Sequence, residues 1–167
     1  MRRAIFLCLV ATFVAGSARA QDKSIKEGIV GAWSLVAVTA DLANGSKSEP
    51  FGAAPKGIII FTPGGQFALV QSRAELPKIA SNDRTKASAE ETTAIVAGSI
   101  AYFGTYSVNE AEKSLSVTLE GSTFPNLLGP AQKRLVNSLD TNELKFANPT
   151  TPSGMTLQTV WRRAQAR

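Results

Sequence analysis

Arg73, Arg134, Tyr102 and Tyr106 are the residues of this chain best suited to meet a small molecule inside a protein. An arginine fork holds a carboxylate through two parallel hydrogen bonds. A tyrosine hydroxyl can donate a proton while its ring packs on apolar atoms. Each of the four stands in or beside an apolar run: Phe67 and Leu69 lie in "QFALVQS" just before Arg73, Tyr102 and Tyr106 in "IAYFGTYSV", and Arg134 in "QKRLVNSL". Small-molecule sites usually combine apolar walls with one or two placed polar groups. The expected ligand contacts are therefore Phe67, Leu69, Arg73, Tyr102, Tyr106 and Arg134, with Phe124 and Phe146 as further bulky residues on or beside the same runs. Arg134 is the first choice as polar anchor, because its run follows "FPNLLGP", a loop placed to form part of a rim. The competing account is that the aromatics fill a core and the arginines snorkel to the surface.

Other chemistries lack their residues. There is no histidine, and the one cysteine, Cys8, lies in an apolar N-terminal run. A nucleophile with a base in reach is therefore not expected: no Ser-x-x-Lys occurs, and Ser24 and Lys26 sit in a polar lead. Without His or Cys only oxygen ligands are left for a metal. Glu110 and Glu112 in "NEAEK" read as a hairpin turn and not as a calcium loop, and Glu90 and Glu91 diverge if their segment is helical. No metal and no cofactor is expected.

The first twenty residues, "MRRAIFLCLVATFVAGSARA", run from two arginines through an apolar stretch to Ala18-Arg19-Ala20. That is the three-part build of a secretory signal peptide, with cleavage expected after Ala20. The apolar run from Ala4 to Gly16 is shorter than the roughly 20 residues a bilayer span requires, so no stable membrane span is expected. The expected organisation is a signal peptide over 1–20 and one domain over 21–167, in the periplasm or secreted. Taking Arg2, Arg3 and Arg19 from the 18 basic residues leaves 15 against 13 acidic ones, a net charge of +2. Scattered over one domain, that charge gives no basic face for nucleic acid. The domain holds no cysteine, so packing and not disulfides must stabilise it.

The elements that would position the candidates are strands. Runs at 32–39, 56–62, 66–72, 100–108, 114–122, 132–139, 143–147 and 155–163 have strand composition, and in "SLSVTLEGS" Leu115, Val117 and Leu119 alternate with Ser116, Thr118 and Glu120. "PGG", "NEAEK" and "DTN" are tight turns between them. From Arg73 to Gly98 the pattern changes to Ala, Glu and Lys, with Ser88 and Glu91 spaced as a capping box. This predicts a helical insert in two short pieces, placed as a lid. The fold expected is all-β: an eight-stranded antiparallel up-and-down barrel with a short helical insert. Closing the sheet removes its exposed edges; a seven- or eight-stranded sandwich is the rival.

Four stretches carry a family resemblance: "GAW" at Gly31 to Trp33, "PKGIIIFTPGGQF" at Pro55 to Phe67, "IAYFGTYSV" at Ile100 to Val108, and "GSTFPNLLGPAQKRLV" at Gly121 to Val136. In order and spacing they resemble the lipocalin-like domain family, small bacterial barrels of the calycin type. Members often carry a histidine in the strand written here "SLSVTLE", and this chain has none, so any role of that histidine does not transfer. The resemblance implies that Trp33 lies across the closed end of the barrel with a basic side chain of the last strand, Arg162 or Arg163, on its ring, and with Gly31 in the same structural cluster. It moves the expected site to the opposite mouth. The function expected is an exported carrier or binding protein for a hydrophobic or amphipathic small molecule. The alternatives are a cavity-based isomerase or cyclase with a tyrosine as general acid, and a filled barrel acting as a protein-interaction module.

Overall fold

In β6 (Ser114–Ser122) Leu115, Val117 and Leu119 are buried, while Ser116, Thr118 and Glu120 face solvent. A strand with one wet face must put its apolar face on a core, and seven further strands do the same around a ring. They are β1 (Gly31–Asp41), β3 (Lys56–Phe61), β4 (Gln66–Ser72), β5 (Ser99–Asn109), β7 (Gln132–Leu139), β8 (Glu143–Asn148) and β9 (Thr156–Arg163). Each pairs antiparallel with its neighbours in the chain, and β1 pairs with β9 from Trp33↔Arg163 to Asp41↔Thr156, which closes the barrel. The expected eight strands are all present. A ninth, β2 (Lys47–Ser48), is a two-residue addition to the end of β1 that composition did not reveal. The computed structural model describes residues 24–149, 151 and 154–165; the expected signal peptide lies outside them.

Up-and-down order sorts the connections by end. Segments 62–65, 110–113 and 140–142 are tight turns at one end. Segments 42–55, 73–98 and 123–131 gather at the other, where β8 ends and β9 begins. Every long connection therefore borders one mouth, and the three shortest close the opposite one. The insert forms a 3-10 turn at Arg84–Lys86 and then α2 (Ala89–Gly98). The Ser88 hydroxyl accepts from the Glu91 amide and the Glu91 carboxylate accepts from the Ser88 amide, so the capping box forms. The other Glu91 oxygen accepts from the Ala80 amide at 2.9 Å, tying the helix to the loop before it.

The turn end is plugged by α1 (Ile25–Gly28). Glu110, from the β5–β6 turn, accepts hydrogen bonds from the Ile25 and Lys26 amides at 3.0 and 2.9 Å. At the other end of α1, Arg163 donates to the Gly28 carbonyl at 2.6 Å, to the Val30 carbonyl at 3.0 Å and to the Thr141 carbonyl at 2.7 Å. The same guanidinium lies 3.9 Å from the centre of the Trp33 ring. Trp33 is fully buried, and its indole N–H donates to the Ile29 carbonyl at 2.8 Å. Of the two arginines the sequence offered, Arg163 takes this place; Arg162 is exposed. Parity along β9 decides it, since Trp161 and Arg163 share the inward face.

Gly31 sits at φ +123°, and a Cβ there would come within 3.0 Å of the Arg163 Nη1 atom. Gly31→Ala is expected to cost about 1–3 kcal/mol, because a side chain strains that backbone and displaces the guanidinium. The urea midpoint of the variant reads the effect; a midpoint equal to that of the native chain contradicts it.

Candidate functional site

Above the closed end the interior is filled by apolar side chains. Phe61 stacks on Phe67 with ring centres 6.1 Å apart, Trp161 stacks on Phe146 at 6.1 Å, and Leu69, Leu115, Val117, Val136 and Leu144 are buried among them. Phe67 and Leu69 therefore form the floor beneath the mouth. The mouth itself is roofed by apolar side chains packed on the core: Phe51 from the 42–55 connection, Leu127 from the 3-10 turn at Pro125–Leu127, and Ile100 and Leu157 from strand ends. The insert was expected to be the cover. Its Leu76, Ile79 and Ile95 are half-buried, and Ile79 and Ile95 line a shallow cleft of about 690 Å³ reaching from Pro77 to Arg84 within the insert.

Between floor and roof lies a polar tier, centred on Arg134. This arginine is 4% exposed and lies on the inward face of β7 with Val136. Its guanidinium donates to the Gln132 side-chain oxygen at 2.7 Å and to the Lys133 carbonyl at 3.2 Å, and the Tyr102 hydroxyl is its electrostatic neighbour. Among the described residues no Asp or Glu pairs with it. Burial pulls its pKa down from the ordinary arginine value, opposed by Tyr102. Guanidinium nevertheless keeps its charge in proteins. A buried charge without a counterion is costly, and the group that best completes this one is a carboxylate or similar anion.

Tyr102 reaches the same point from β5. Its ring meets Phe67 edge-on at 6.1 Å. Burial raises the pKa of the phenol above its ordinary value of 10.0, and the Arg134 charge partly offsets this. The folded protein therefore prefers the neutral phenol, and the chain has only two tyrosines with which to see it. Sign and window follow from that preference. The stabilisation is whole below the unfolded tyrosine pKa of about 10 and is lost as pH rises through the higher folded value. Tyrosinate absorbance is expected to appear only above pH ~10, together with falling stability, and Arg134→Met moves the Tyr102 transition further up; a downward move refutes the pairing.

Two of the expected contacts lie elsewhere. Arg73 is exposed at the root of the insert, where its Nε donates to the Pro50 carbonyl at 3.2 Å. It ties two rim connections together and does not enter the barrel, because Gln71, and not Arg73, is the last inward residue of β4. Tyr106 belongs to the closed half. Its hydroxyl donates to the Thr62 carbonyl at 2.8 Å and its ring meets Phe61 edge-on at 5.0 Å. Burial raises its pKa as well.

Sequence reasoning missed three polar residues of the tier. Gln132 links the anchor to the roof, since its oxygen accepts from Arg134 and its amide N–H donates to the Leu127 carbonyl at 2.7 Å. Gln71 is 6% exposed and its side-chain oxygen has no hydrogen-bond partner; the buried Asn148 oxygen has none either. Each stands two residues from an inward residue, Gln71 from Leu69, Gln132 from Arg134 and Asn148 from Phe146. The period of two was thus the available signal.

Among the described residues no cluster of His, Cys, Asp or Glu could hold a metal ion, and no helix is long and apolar enough to cross a membrane. A solved structure of a lipocalin-like protein from Bacteroides uniformis is similar to this chain at 15% identity, with a TM-score of 0.44, over 82% of this chain and 99% of that one. Among curated proteins none matches. The pattern of the lipocalin-like domain matches residues 30–164, which take in every strand of the barrel and the anchoring tier. The chain belongs to the lipocalin-like domain family.

Proposed function

We propose that this protein is an exported carrier that holds a hydrophobic or amphipathic small molecule in the upper half of its barrel, with an anionic head group on Arg134. The observation that carries this reading is the buried guanidinium itself. Its hydrogen-bond partners are neutral and, among the described residues, no carboxylate pairs with it, while Phe67, Leu69, Phe51 and Leu127 belong to or pack on the apolar interior it enters. The N-terminal pattern of residues 1–20 supports passage to the periplasm or beyond, with a mature domain from residue 21. The test is native mass spectrometry of protein recovered from the exported fraction of its own cells. The expected spectrum shows a chain beginning near Gln21 and carrying one small molecule per barrel, which Arg134→Met loses. Protein that stays empty when exposed to an extract of those cells refutes the carrier.

One observation favours an enzyme as second reading. Tyr102 sets a phenol O–H beside the Arg134 cation, and a charge that favours the phenolate is what a tyrosine acting as general acid in an isomerase or cyclase needs. Tyr102→Phe separates the two. A carrier keeps its bound molecule in this variant, whereas an enzyme keeps binding but loses conversion of that molecule.

A further inference from the structure

Resting on the reading of Arg134 as an anion anchor, we propose that the ligand is not a plain apolar acid but a carboxylate that also bears a hydrogen-bond donor, an O–H or N–H group, received by Gln71 at the wall away from the anchor. Gln71 shares the inward face of β4 with Phe67 and Leu69. Its register partner is Ile100, one step toward the mouth from the pair Leu69↔Tyr102. It therefore stands beside Ile100, nearer the mouth than Tyr102. Its side-chain oxygen is buried and has no partner among the described residues. An amide oxygen can only accept, and no donor of the described residues reaches this one, so the complementary group is a donor carried in from outside.

The tier repeats this chemistry on the opposite wall. In the ring of eight strands β4 and β8 stand four places apart. Asn148 follows Leu144 and Phe146 on the inward parity of β8, and its side-chain oxygen is likewise buried and unpartnered. The register Leu135↔Ala147, continued by one residue, sets Asn148 across from Arg134. Among the described residues the tier thus sets one cation beside two buried amide oxygens that have no hydrogen-bond partner. Burying an aliphatic tail against them would leave both acceptors without hydrogen bonds. A hydroxylated or amide-bearing amphipathic carboxylate satisfies the cation and the acceptors together.

The experiment compares dodecanoate with two of its hydroxylated forms, one substituted beside the head group and one at the tail end, by calorimetric titration of the delipidated chain. The expected result is that at least one hydroxy acid binds about tenfold or more tightly than dodecanoate. Gln71→Leu then reduces that preference to less than about threefold without weakening dodecanoate, and Arg134→Met abolishes binding of all three. Equal affinity for the three acids, or a preference that survives in Gln71→Leu, overturns the donor requirement while the anchor stands. Failure of the native chain to bind any of the acids overturns the anchor and this proposal together.

Discussion

Replacing Trp33 by alanine is expected to destabilise the protein by about 3–5 kcal/mol. The indole is fully buried, and its N–H bond to the Ile29 carbonyl ties β1 to the chain leaving α1. Its face carries the Arg163 guanidinium, a contact worth about 0.5–2 kcal/mol. Loss of the ring also removes the platform on which Arg163 meets the carbonyls of Gly28, Val30 and Thr141. Single domains have about 5–15 kcal/mol in total, so the variant sits near the edge of folding. Trp161 is then the only tryptophan left, and its fluorescence in urea follows the transition directly. Trp33→Phe keeps an aromatic ring but loses the N–H bond, and a loss of about 1–2 kcal/mol is expected. An unchanged midpoint in the alanine variant would remove the closed-end plug from this account.

Arg134→Met is expected to behave in the opposite way. Most large inward side chains stabilise the barrel, whereas a buried cation without a counterion stabilises it little or not at all. Methionine fills similar space without a charge. The variant leaves the Gln132 oxygen with one partner fewer, which offsets part of the gain. Stability is therefore expected to stay within about 1 kcal/mol of the native value, or to exceed it, while binding of carboxylates is lost. Thermal unfolding and calorimetric titration of the same preparation measure the two sides. A drop of more than about 2 kcal/mol would make Arg134 a structural residue and remove the reason for placing a ligand at it.

The strands were legible because each reports its own environment. The alternation in β6 and the pair Phe67 and Leu69 in β4 arise from a one-sided core, and "PGG", "NEAEK" and "DTN" mark turns too short to do anything but reverse the chain. Ser88 and Glu91 likewise announced the start of α2, since a capping box is a local structure. The 47–48 strand was illegible because two exposed residues carry no pattern. They pair only because the end of β1 runs past its partner β3 and offers free backbone groups.

The site was legible by residue type and less so by place. Arg134 and Tyr102 meet although β6 stands between their strands, since their long side chains cross the interior. Tyr106 has the same composition signal and the same inward parity as Tyr102, yet it lies one turn of the barrel wall lower, where Thr62 uses its hydroxyl. Arg73 looked equivalent to Arg134, but β4 ends at Ser72 and leaves it on the rim.

By itself the sequence determined eight strands, their up-and-down order, the end at which each connection lies, and the absence of histidine and of any cysteine in the barrel, because these follow from period, turn length and composition. Tertiary structure alone decided which arginine covers Trp33, which tyrosine meets Arg134, and that Gln71, Gln132 and Asn148 face inward beside them. The physical reason is closure. The irregularity in β1 between Leu35 and Ala37 and the stagger of paired strands set which side chains share a level, and no single strand carries that information.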